Sequence, residues 1–186
     1  MSHAARIDTL PALHDACWAE LGLAAQDRRH PWRTPVLASR DGDGVDARTV
    51  VLREVDAEAR QLIVYTDARS PKVAQLRTWP RASLCAWSPQ RSWQLRLRVR
   101  VAVRDDDDAV ARRWARMKAS PAAKDYLSPL APGSERADAG PDAAPGARAH
   151  FAVLELTVLA MDWLELHPDG HRRASFDARG ARWRVP

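Results

Sequence analysis

Side chains that can bind an anion are concentrated in residues 48–72, RTVVLREVDAEARQLIVYTDARSPK. Arg48 and Arg53 lie in the predicted strand ARTVVLREV, and Thr66 closes the next predicted strand, QLIVYT. Ser70 and Lys72 follow at the predicted start of a helix, where the helix dipole and free backbone N–H groups favour negative charge. A phosphate near its dianionic form is bound by cations together with hydroxyl or backbone donors. We therefore expect several of these side chains to converge on one phosphate.

Flavin mononucleotide (FMN) is a phosphate-bearing cofactor whose requirements this stretch can meet. Its ring system needs a flat apolar surface and a few hydrogen bonds to its polar edge. The strand backbone at Thr49, Val50 and Val51 can supply such bonds, and the side chain of Gln94 can both donate and accept. These residues form a hypothesis for an FMN site.

Motifs for several other cofactors and catalytic chemistries are missing from the sequence. The chain contains neither GxGxxG nor the P-loop pattern GxxxxGKS or GxxxxGKT, which argues against Rossmann and P-loop nucleotide sites. HExxH, CxxC and GxSxG are absent too, so no metal site is predicted and a hydrolase is disfavoured. Cys17 and Cys85 lie far apart in apolar surroundings. We expect them to be buried, inert thiols in a reducing compartment.

The overall charge of the chain favours an anionic partner. Twenty-nine Lys and Arg residues against 24 Asp and Glu give a net charge of +5. Such a balance suits an anionic small molecule or nucleic acid, but the basic residues are scattered rather than gathered in a tail, so nucleic acid is the weaker alternative. No apolar run approaches the roughly 18 residues of a membrane span, and the N-terminus MSHAARID lacks the apolar core of a signal peptide. We expect a cytoplasmic protein with no membrane partner.

The spacing of apolar residues predicts one domain over residues 1–186 that is mainly β, with helices around a closed or nearly closed sheet. Helical spacing predicts a leading helix at about residues 9–26, and a second helix begins at Ser70. Between them, PVLAS and ARTVVLREV are joined by the turn DGDG and predict a hairpin. The Pro-, Gly- and Ala-rich segment at about residues 128–149 predicts a long, flexible loop.

The clearest alternation of apolar and polar residues lies in residues 93–103, WQLRLRVRVAV. The odd-numbered apolar residues should face a core, while Gln94, Arg96, Arg98 and Arg100 face the other way. Three interpretations of this basic face remain open from the residues alone. It can be an exposed sheet face, a subunit interface or cofactor-pocket edge that includes Gln94, or a surface for nucleic acid.

In order and spacing, several of these segments resemble the pyridoxamine 5'-phosphate oxidase-like, FMN-binding split-barrel family. The similar segments are ARTVVLREV, LIVYTDARSPKVAQL, WPRASLCAW, WQLRLRV, the helix with Trp114 and Met117, the loop at Pro132-Gly133, and the ending WLEL and HRRASF. The resemblance extends from about residue 31 to residue 186. It implies a six-stranded antiparallel split β-barrel with flanking helices, an α+β fold, and a homodimer with FMN at its interface.

The resemblance also implies which residues bind the cofactor. Arg48 matches a phosphate-binding arginine, Gln94 matches a glutamine that commonly reaches the ring across the dimer, and Trp163 matches a tryptophan near the flavin. The complete set of implied FMN-binding residues is Arg48, Thr49, Val50, Val51, Leu52, Arg53, Tyr65, Thr66, Ser70, Lys72, Gln94 and Trp163. Pro71 replaces the arginine of the family's Ser-Arg-Lys and removes one phosphate charge, for which Arg69 or Arg53 can substitute.

The substrate end of the site departs from the pattern of true pyridoxamine 5'-phosphate oxidases. Their C-terminal Arg-Leu-His-Asp-Arg reads His-Arg-Arg-Ala-Ser here, with Arg172 and Arg173, and the third helix has Trp114 and Lys118 in place of tyrosine and arginine. Arg172, Arg173 and Lys118 are therefore the expected substrate-binding residues, for an anionic small molecule. FMN binding is better supported than pyridoxamine phosphate oxidation.

The function that this resemblance implies is that of an FMN-dependent oxidoreductase with an unidentified substrate. No catalytic acid or base is required, because the flavin itself can accept a hydride. The alternative is a non-catalytic flavin- or ligand-binding module of the same fold.

Overall fold

The computed structural model describes residues 6–135 and 150–186, which form an antiparallel sheet with helices packed on it. The helices of this part of the chain are α1 (Leu10–Gln26), α2 (Pro71–Thr78) and α3 (Asp108–Met117), with 3₁₀ segments at Pro31–Arg33 and Pro121–Tyr126. The strands are β1 (Val36–Asp41), β2 (Gly44–Thr49), β3 (Leu52–Asp56), β4 (Gln61–Asp67), β5 (Arg81–Ser88), β6 (Trp93–Arg104), β7 (Phe151–Glu165), β8 (Arg172–Asp177) and β9 (Gly180–Arg184). None of the described helices is long and apolar enough to cross a membrane.

Strand β7 organises the sheet. On one side it pairs with β6 along most of its length. On the other side its first half, Phe151 to Thr157, pairs with β4, and its second half, Met161 to Glu165, pairs with β8. The main path runs β2-β1-β5-β6-β7-β4-β3, with the β8–β9 hairpin attached to the second half of β7. This open antiparallel sheet with flanking helices confirms the expected α+β fold class.

The described part of the chain has nine strands, three more than the six that the resemblance implied. One reason is that ARTVVLREV is divided: β2 ends at Thr49 and β3 begins at Leu52. At the division, Val50 donates its backbone N–H to the carbonyl of Pro35, at 3.0 Å. A C-terminal hairpin supplies β8 and β9.

The main core lies between α1 and one face of the sheet. The alternation predicted for β6 is confirmed, because Trp93, Leu95, Leu97, Val99 and Val101 are all buried in this core. From α1, the buried apolar side chains on the same core are Leu13, Cys17, Trp18, Leu21 and Ala24. Trp32 and Trp163 are fully enclosed.

A smaller apolar cluster fixes α3 and the second 3₁₀ segment against β4 and β7. Its buried members are Ile63, Val110, Tyr126, Phe151 and Val153. Asp107 caps the N-terminus of helix α3, because its carboxylate accepts a hydrogen bond from the N–H of Val110 at 2.8 Å. This packing holds α3 close to β3 and β4, where Arg113 pairs with Glu54 and Glu54 accepts from Tyr65.

The predicted loop at residues 128–149 is described only in its first part. Residues 136–149, and the N-terminal residues 1–5, lie outside the described residues. The guanidinium of Arg69 donates hydrogen bonds to the carbonyls of Ser128, Pro129 and Leu130, so the beginning of this segment is tied to the end of β4.

Candidate functional site

The break between β2 and β3 leaves the end of strand β4 without a partner from β3. The β3–β4 pairing begins at Leu52 opposite Val64, so Tyr65, Thr66 and Asp67 extend past β3. Arg48 precedes the break and Arg53 follows it, so the divided chain carries one arginine on each side. Tyr65 and Thr66 are consecutive residues of β4, so their side chains lie on opposite faces of the strand. Tyr65 contacts Glu54, whereas Thr66 contacts Lys72. Two polar regions therefore meet at this edge.

The first region, which we call the lysine cluster, consists of Thr66, Ser70 and Lys72. The ammonium of Lys72 donates to Ser70 Oγ at 2.5 Å and to Thr66 Oγ1 at 3.3 Å. Both hydroxyl residues are buried, with 4% and 6% of their surface exposed. Ser70 occupies the N-cap position of α2, yet its side chain makes no capping hydrogen bond and instead accepts from the lysine. The cluster thus joins the end of β4 to the first turn of α2.

Lys72 has an unusual electrostatic environment. Burial lowers its pKa below the ordinary 10.5, and the positive charge of Arg48 lowers it further, against the opposing effects of Asp67 and Asp46. The hydrogen-bond partners of the ammonium are hydroxyl groups rather than carboxylates. A half-buried cation in such surroundings gains from a bound anion.

Arg48 approaches the lysine cluster from β2 and is held in a network of its own. Its guanidinium donates to Ser39 Oγ at 2.5 Å and to Gln75 Oε1 at 2.9 Å, and it is ion-paired with Asp46. Gln75 also accepts from Ser39 Oγ at 2.8 Å and donates to Asp46 at 3.3 Å. Hydrogen bonds from Gln75 and Arg48 hold the pKa of Asp46 below its usual range. The network fastens β1 and β2 to α2.

Ser39, Asp46 and Gln75 were missed by the sequence reasoning. One signal was available for Asp46, since residues two apart in a strand share a face and Asp46 precedes Arg48 by two. Ser39 and Gln75 come from other elements, and nothing in their local sequence marks them. Arg69, considered as a substitute for a missing phosphate ligand, is committed elsewhere, because it forms an ion pair with Asp67 at 2.7 Å and binds the carbonyls of the following loop.

The second region is a cavity of about 510 Å³ that we call the arginine pocket. Val51, Arg53 and Tyr65, all predicted cofactor residues, line part of it. The guanidinium carbon of Arg53 lies 5.6 Å from the centre of the Tyr65 ring. Further lining residues come from α3 and from the turn after α1. Val51, Arg53 and Tyr65 therefore lie beside a space large enough for a small molecule.

Glu54 and Tyr65 form a hydrogen-bonded pair beside this cavity. The Tyr65 hydroxyl donates to Glu54 Oε1 at 2.6 Å, and the same carboxylate accepts from Arg113 at 3.0 Å and Arg116 at 3.2 Å. Burial of Glu54 opposes its ionisation, but the hydrogen bonds from Arg113 and Tyr65 and the arginine charges outweigh it, so its pKa is lowered. Burial and the contact with Glu54 raise the pKa of Tyr65 to about 12.

Two predicted flavin contacts lie elsewhere in the chain. Gln94 is partly exposed on β6, on the face opposite the main core, beside Trp87 of β5 and Leu164 of β7 in the sheet. Trp163 has no exposed surface and packs edge-on to Trp93, with ring centres 5.3 Å apart. The structure therefore places Trp163 in the core rather than on an accessible flavin surface. Its burial reflects the apolar packing of β6 on β7, which depends on the folded sheet and not on the local sequence.

The predicted substrate residues are not brought together around the arginine pocket. Arg172 donates to Glu165 at 2.9 Å and to Asp8 at 3.0 Å, and Arg173 forms a two-pronged ion pair with Asp162, with a shortest distance of 2.8 Å. Lys118 is exposed at the C-terminal end of α3. Ion pairs with Glu165, Asp8 and Asp162, rather than a shared cavity, determine how Arg172 and Arg173 are oriented.

Comparison with known proteins gives a family for this architecture. Residues 16–105 match the model of the pyridoxamine 5'-phosphate oxidase FMN-binding domain. A comparison with curated proteins returned no match. Residues 16–105 are therefore similar to an FMN-binding domain of the pyridoxamine 5'-phosphate oxidase family, and FMN is the cofactor of the matched domain.

Solved structures share the fold over nearly the whole chain. A pyridoxamine 5'-phosphate oxidase-related, FMN-binding protein of Nostoc punctiforme is 24% identical with a TM-score of 0.72, covering 92% of this chain and 96% of the other. PhzG from Burkholderia lata, in complex with tetrahydrophenazine-1-carboxylic acid, is 18% identical with a TM-score of 0.72, covering 96% and 94%. A heme-binding protein of Mycobacterium smegmatis is 17% identical with a TM-score of 0.54, covering 95% of this chain and 60% of the other. At these identities the comparisons establish the fold alone.

The titration of the two tyrosines tests the environment of the pocket. Burial is the main cause that raises the pKa of both Tyr65 and Tyr126, the only tyrosines in the chain. In the folded protein, tyrosinate absorbance should remain small at pH ~10, the ordinary midpoint, and Tyr65 should ionise at about 12. The pKa of Tyr65 is higher in the folded than in the unfolded protein. Its protonated hydroxyl therefore contributes to the free energy of unfolding below pH ~10, and this contribution is lost as the pH rises towards about 12.

The matched control is the same titration in guanidinium chloride, where both tyrosines should titrate normally. Tyr65→Phe should leave one residue, Tyr126, with a raised pKa. An ordinary midpoint for Tyr65 in the folded protein would contradict the buried contact with Glu54.

Proposed function

We propose that the protein is an FMN-dependent oxidoreductase in which the lysine cluster holds the phosphate of FMN. The observation that carries the proposal is the convergence of Lys72, Ser70 and Thr66, with the charge of Arg48 near enough to lower the pKa of Lys72. An ammonium with two hydroxyls and no carboxylate is the donor set that a phosphate monoester requires. The residues therefore fit the group that the matched domain binds.

The remaining predicted contacts follow from the position of the cluster. Thr66 of the lysine cluster is next to Tyr65 of the arginine pocket, so a molecule with its phosphate at Lys72 can extend past the end of β3 towards Val51 and Arg53. Val51 and Arg53 border the pocket, and the strand break leaves their backbone free of a continuous ladder. In this proposal residues 49–53 orient the ring and Arg48 strengthens phosphate binding through its charge. When bound, FMN supplies the hydride or electron chemistry.

A homodimer is the proposed assembly. Gln94 lies on the basic face of β6, and in this proposal a second copy of the chain brings it to the ring. A cavity of about 820 Å³ lies on the same face and is lined by residues that include Arg96, Arg98 and Arg173. In the monomer Trp87, the strand partner of Gln94, leaves 43% of its surface exposed. Burial of such a ring favours association.

A flavin-binding module without turnover is the second candidate. The observation that favours it is the ion pairing of Arg172 with Glu165 and of Arg173 with Asp162, since these carboxylates compete with a substrate anion for two of the expected substrate ligands. Anaerobic reduction of the bound flavin, followed by mixing with air and with candidate acceptors, separates the two. Repeated turnover with any donor and acceptor pair supports the oxidoreductase, whereas a flavin that never cycles supports the module.

Replacement of Lys72 tests the phosphate assignment. Lys72→Met keeps most of the side-chain volume but removes the ammonium. Because a hydrogen bond to a charged group contributes about 1.5–3 kcal/mol, the Kd for FMN should rise by roughly 10- to 150-fold. The measurement is a fluorescence titration of the apoprotein with FMN. Lys124→Met, at an exposed lysine of the second 3₁₀ segment, is the control and should bind FMN like the wild type.

The pH dependence of FMN binding gives an independent test. The free protein holds the Lys72 proton less tightly than an ordinary lysine does, because burial and Arg48 lower its pKa, whereas a bound phosphate favours the charged form. Binding therefore takes up a proton at alkaline pH, and FMN affinity should fall as the pH rises through the lowered pKa. Titrations at increasing pH should show this loss in the wild type and not in Lys72→Met. Equal pH profiles would count against Lys72 as the phosphate ligand.

A further inference from the structure

Asp46 places a negative charge beside the lysine cluster. Its carboxylate is ion-paired with Arg48 and accepts a hydrogen bond from the amide of Gln75 at 3.3 Å. Burial and the charge of Arg48 lower the pKa of Lys72, and the charges of Asp67 and Asp46 oppose this shift. A carboxylate close enough to favour the ammonium is also close enough to disfavour an anion bound beside it. Asp46 therefore opposes the binding of a phosphate at Lys72.

Asp46 also engages the arginine nearest to the lysine cluster. One terminal nitrogen of Arg48 donates to both Asp46 and Gln75 Oε1, the second contact at 2.9 Å. The other terminal nitrogen donates to Ser39 Oγ at 2.5 Å. Of these three acceptors only Asp46 carries a charge. A phosphate that approaches Arg48 must therefore compete with this carboxylate for the guanidinium group.

Gln75 holds Asp46 and Arg48 together. Its Oε1 atom accepts from Arg48 and from Ser39 Oγ, the latter at 2.8 Å, while its Nε2 atom donates to Asp46. Each end of the amide thus has the partner that its chemistry requires. Ser39 is buried, whereas 44% of the Asp46 side chain is exposed, on the wall of an open cavity of about 600 Å³. Water therefore screens the charge of Asp46 in part, and its effect on a bound anion is moderate.

We propose that Asp46 is a specificity-determining residue of the phosphate site, which competes with the phosphate for Arg48 and thereby lowers the affinity for FMN. The inference rests on the proposed function, because it requires the phosphate of FMN at Lys72. When the phosphate binds, Arg48 shares its N–H groups between Asp46 and the phosphate oxygens, which a guanidinium fork fits well. The consequence is a cofactor that exchanges with free FMN instead of being held permanently.

Asp46→Asn separates competition from a merely orienting role. The asparagine keeps an oxygen that can accept from Arg48, but it has no charge. Competition predicts that the Kd for FMN falls roughly three- to tenfold, as expected for a partly screened charge. The Kd for riboflavin, which lacks the phosphate, should not change. Fluorescence titrations of the apoprotein measure both constants. Unchanged or weaker FMN binding would overturn the proposal.

Asp43 provides the matched control. It lies in the turn between β1 and β2, is exposed, and stands three residues before Asp46. Asp43→Asn makes the same change in net charge and should leave the Kd for FMN as in the wild type. Equal gains from the two substitutions would show a general effect of net charge and would overturn the role of Asp46.

A double-mutant cycle tests whether Asp46 acts through Arg48. In the background of Arg48→Met the guanidinium group is absent, so there is nothing for the carboxylate and the phosphate to compete for. Asp46→Asn should therefore retain less than half of its gain in FMN affinity in that background. An undiminished gain would show that repulsion of the phosphate is sufficient, and it would overturn competition for Arg48.

The pH profile gives a readout that a purely structural role would not change. The charged groups that act on Lys72 are Arg48 and Asp46 of β2 and Asp67 at the end of β4. Asp46→Asn removes one of the two charges that oppose the lowering of the Lys72 pKa. The alkaline loss of FMN affinity should therefore begin at a lower pH in this variant than in the wild type. An unchanged profile would place Asp46 too far from the phosphate and overturn the proposal.

Failure of this inference is distinguishable from failure of the flavin assignment. A wild type that prefers FMN to riboflavin, together with an Asp46→Asn variant of unchanged affinity, overturns the inference alone. If FMN does not bind, inorganic phosphate is titrated into the protein as purified. Tighter phosphate binding by Asp46→Asn then supports competition at the lysine cluster while the proposed function fails. Absent or equal phosphate binding overturns both.

Discussion

The half-buried charge of Lys72 is the interaction on which the proposed chemistry of this protein depends. Its ammonium lies between the hydroxyls of Ser70 and Thr66, without a carboxylate among its hydrogen-bond partners and with the charge of Arg48 close by. Burial and the charge of Arg48 disfavour the cation more than Asp67 and Asp46 favour it, which is why its pKa is lowered. A fold that retains such an arrangement is suited to an anionic ligand at the first turn of α2.

The break in the chain between β2 and β3 connects this charge with the second basic region. Because β3 begins only at Leu52, the end of β4 projects beyond it, and its consecutive residues reach two different environments. Thr66 joins the lysine cluster, whereas Tyr65 lies in the arginine pocket with Arg53. The small apolar cluster under α3 holds the far side of that pocket in place. One irregularity in the sheet thus sets the lysine cluster beside the arginine pocket.

Local features of the fold could be predicted from the sequence, whereas contacts between distant elements could not. The alternation in β6 and the start of a helix at Ser70 each depend on neighbouring residues, and each was confirmed. The division of ARTVVLREV was missed because Val50 and Val51 have high strand propensity, whereas in the fold the N–H of Val50 donates to the carbonyl of Pro35. The contacts of Ser39 and Gln75 were missed for the same reason, since each meets its neighbours only in the folded chain. Arg172 and Arg173 were placed by family position, but ion pairing with Glu165 and Asp162 decides their geometry.

A comparison of FMN with riboflavin is the sharpest test of the phosphate assignment, because the two flavins differ only in the phosphate. The equilibrium dissociation constant of each is measured by fluorescence titration of the apoprotein, for the wild type and for Lys72→Met. If Lys72 and its neighbours hold the phosphate, FMN should bind at least about 100-fold more tightly than riboflavin, and most of that difference should disappear in the variant. Equal affinity of the wild type for the two flavins would contradict the assignment.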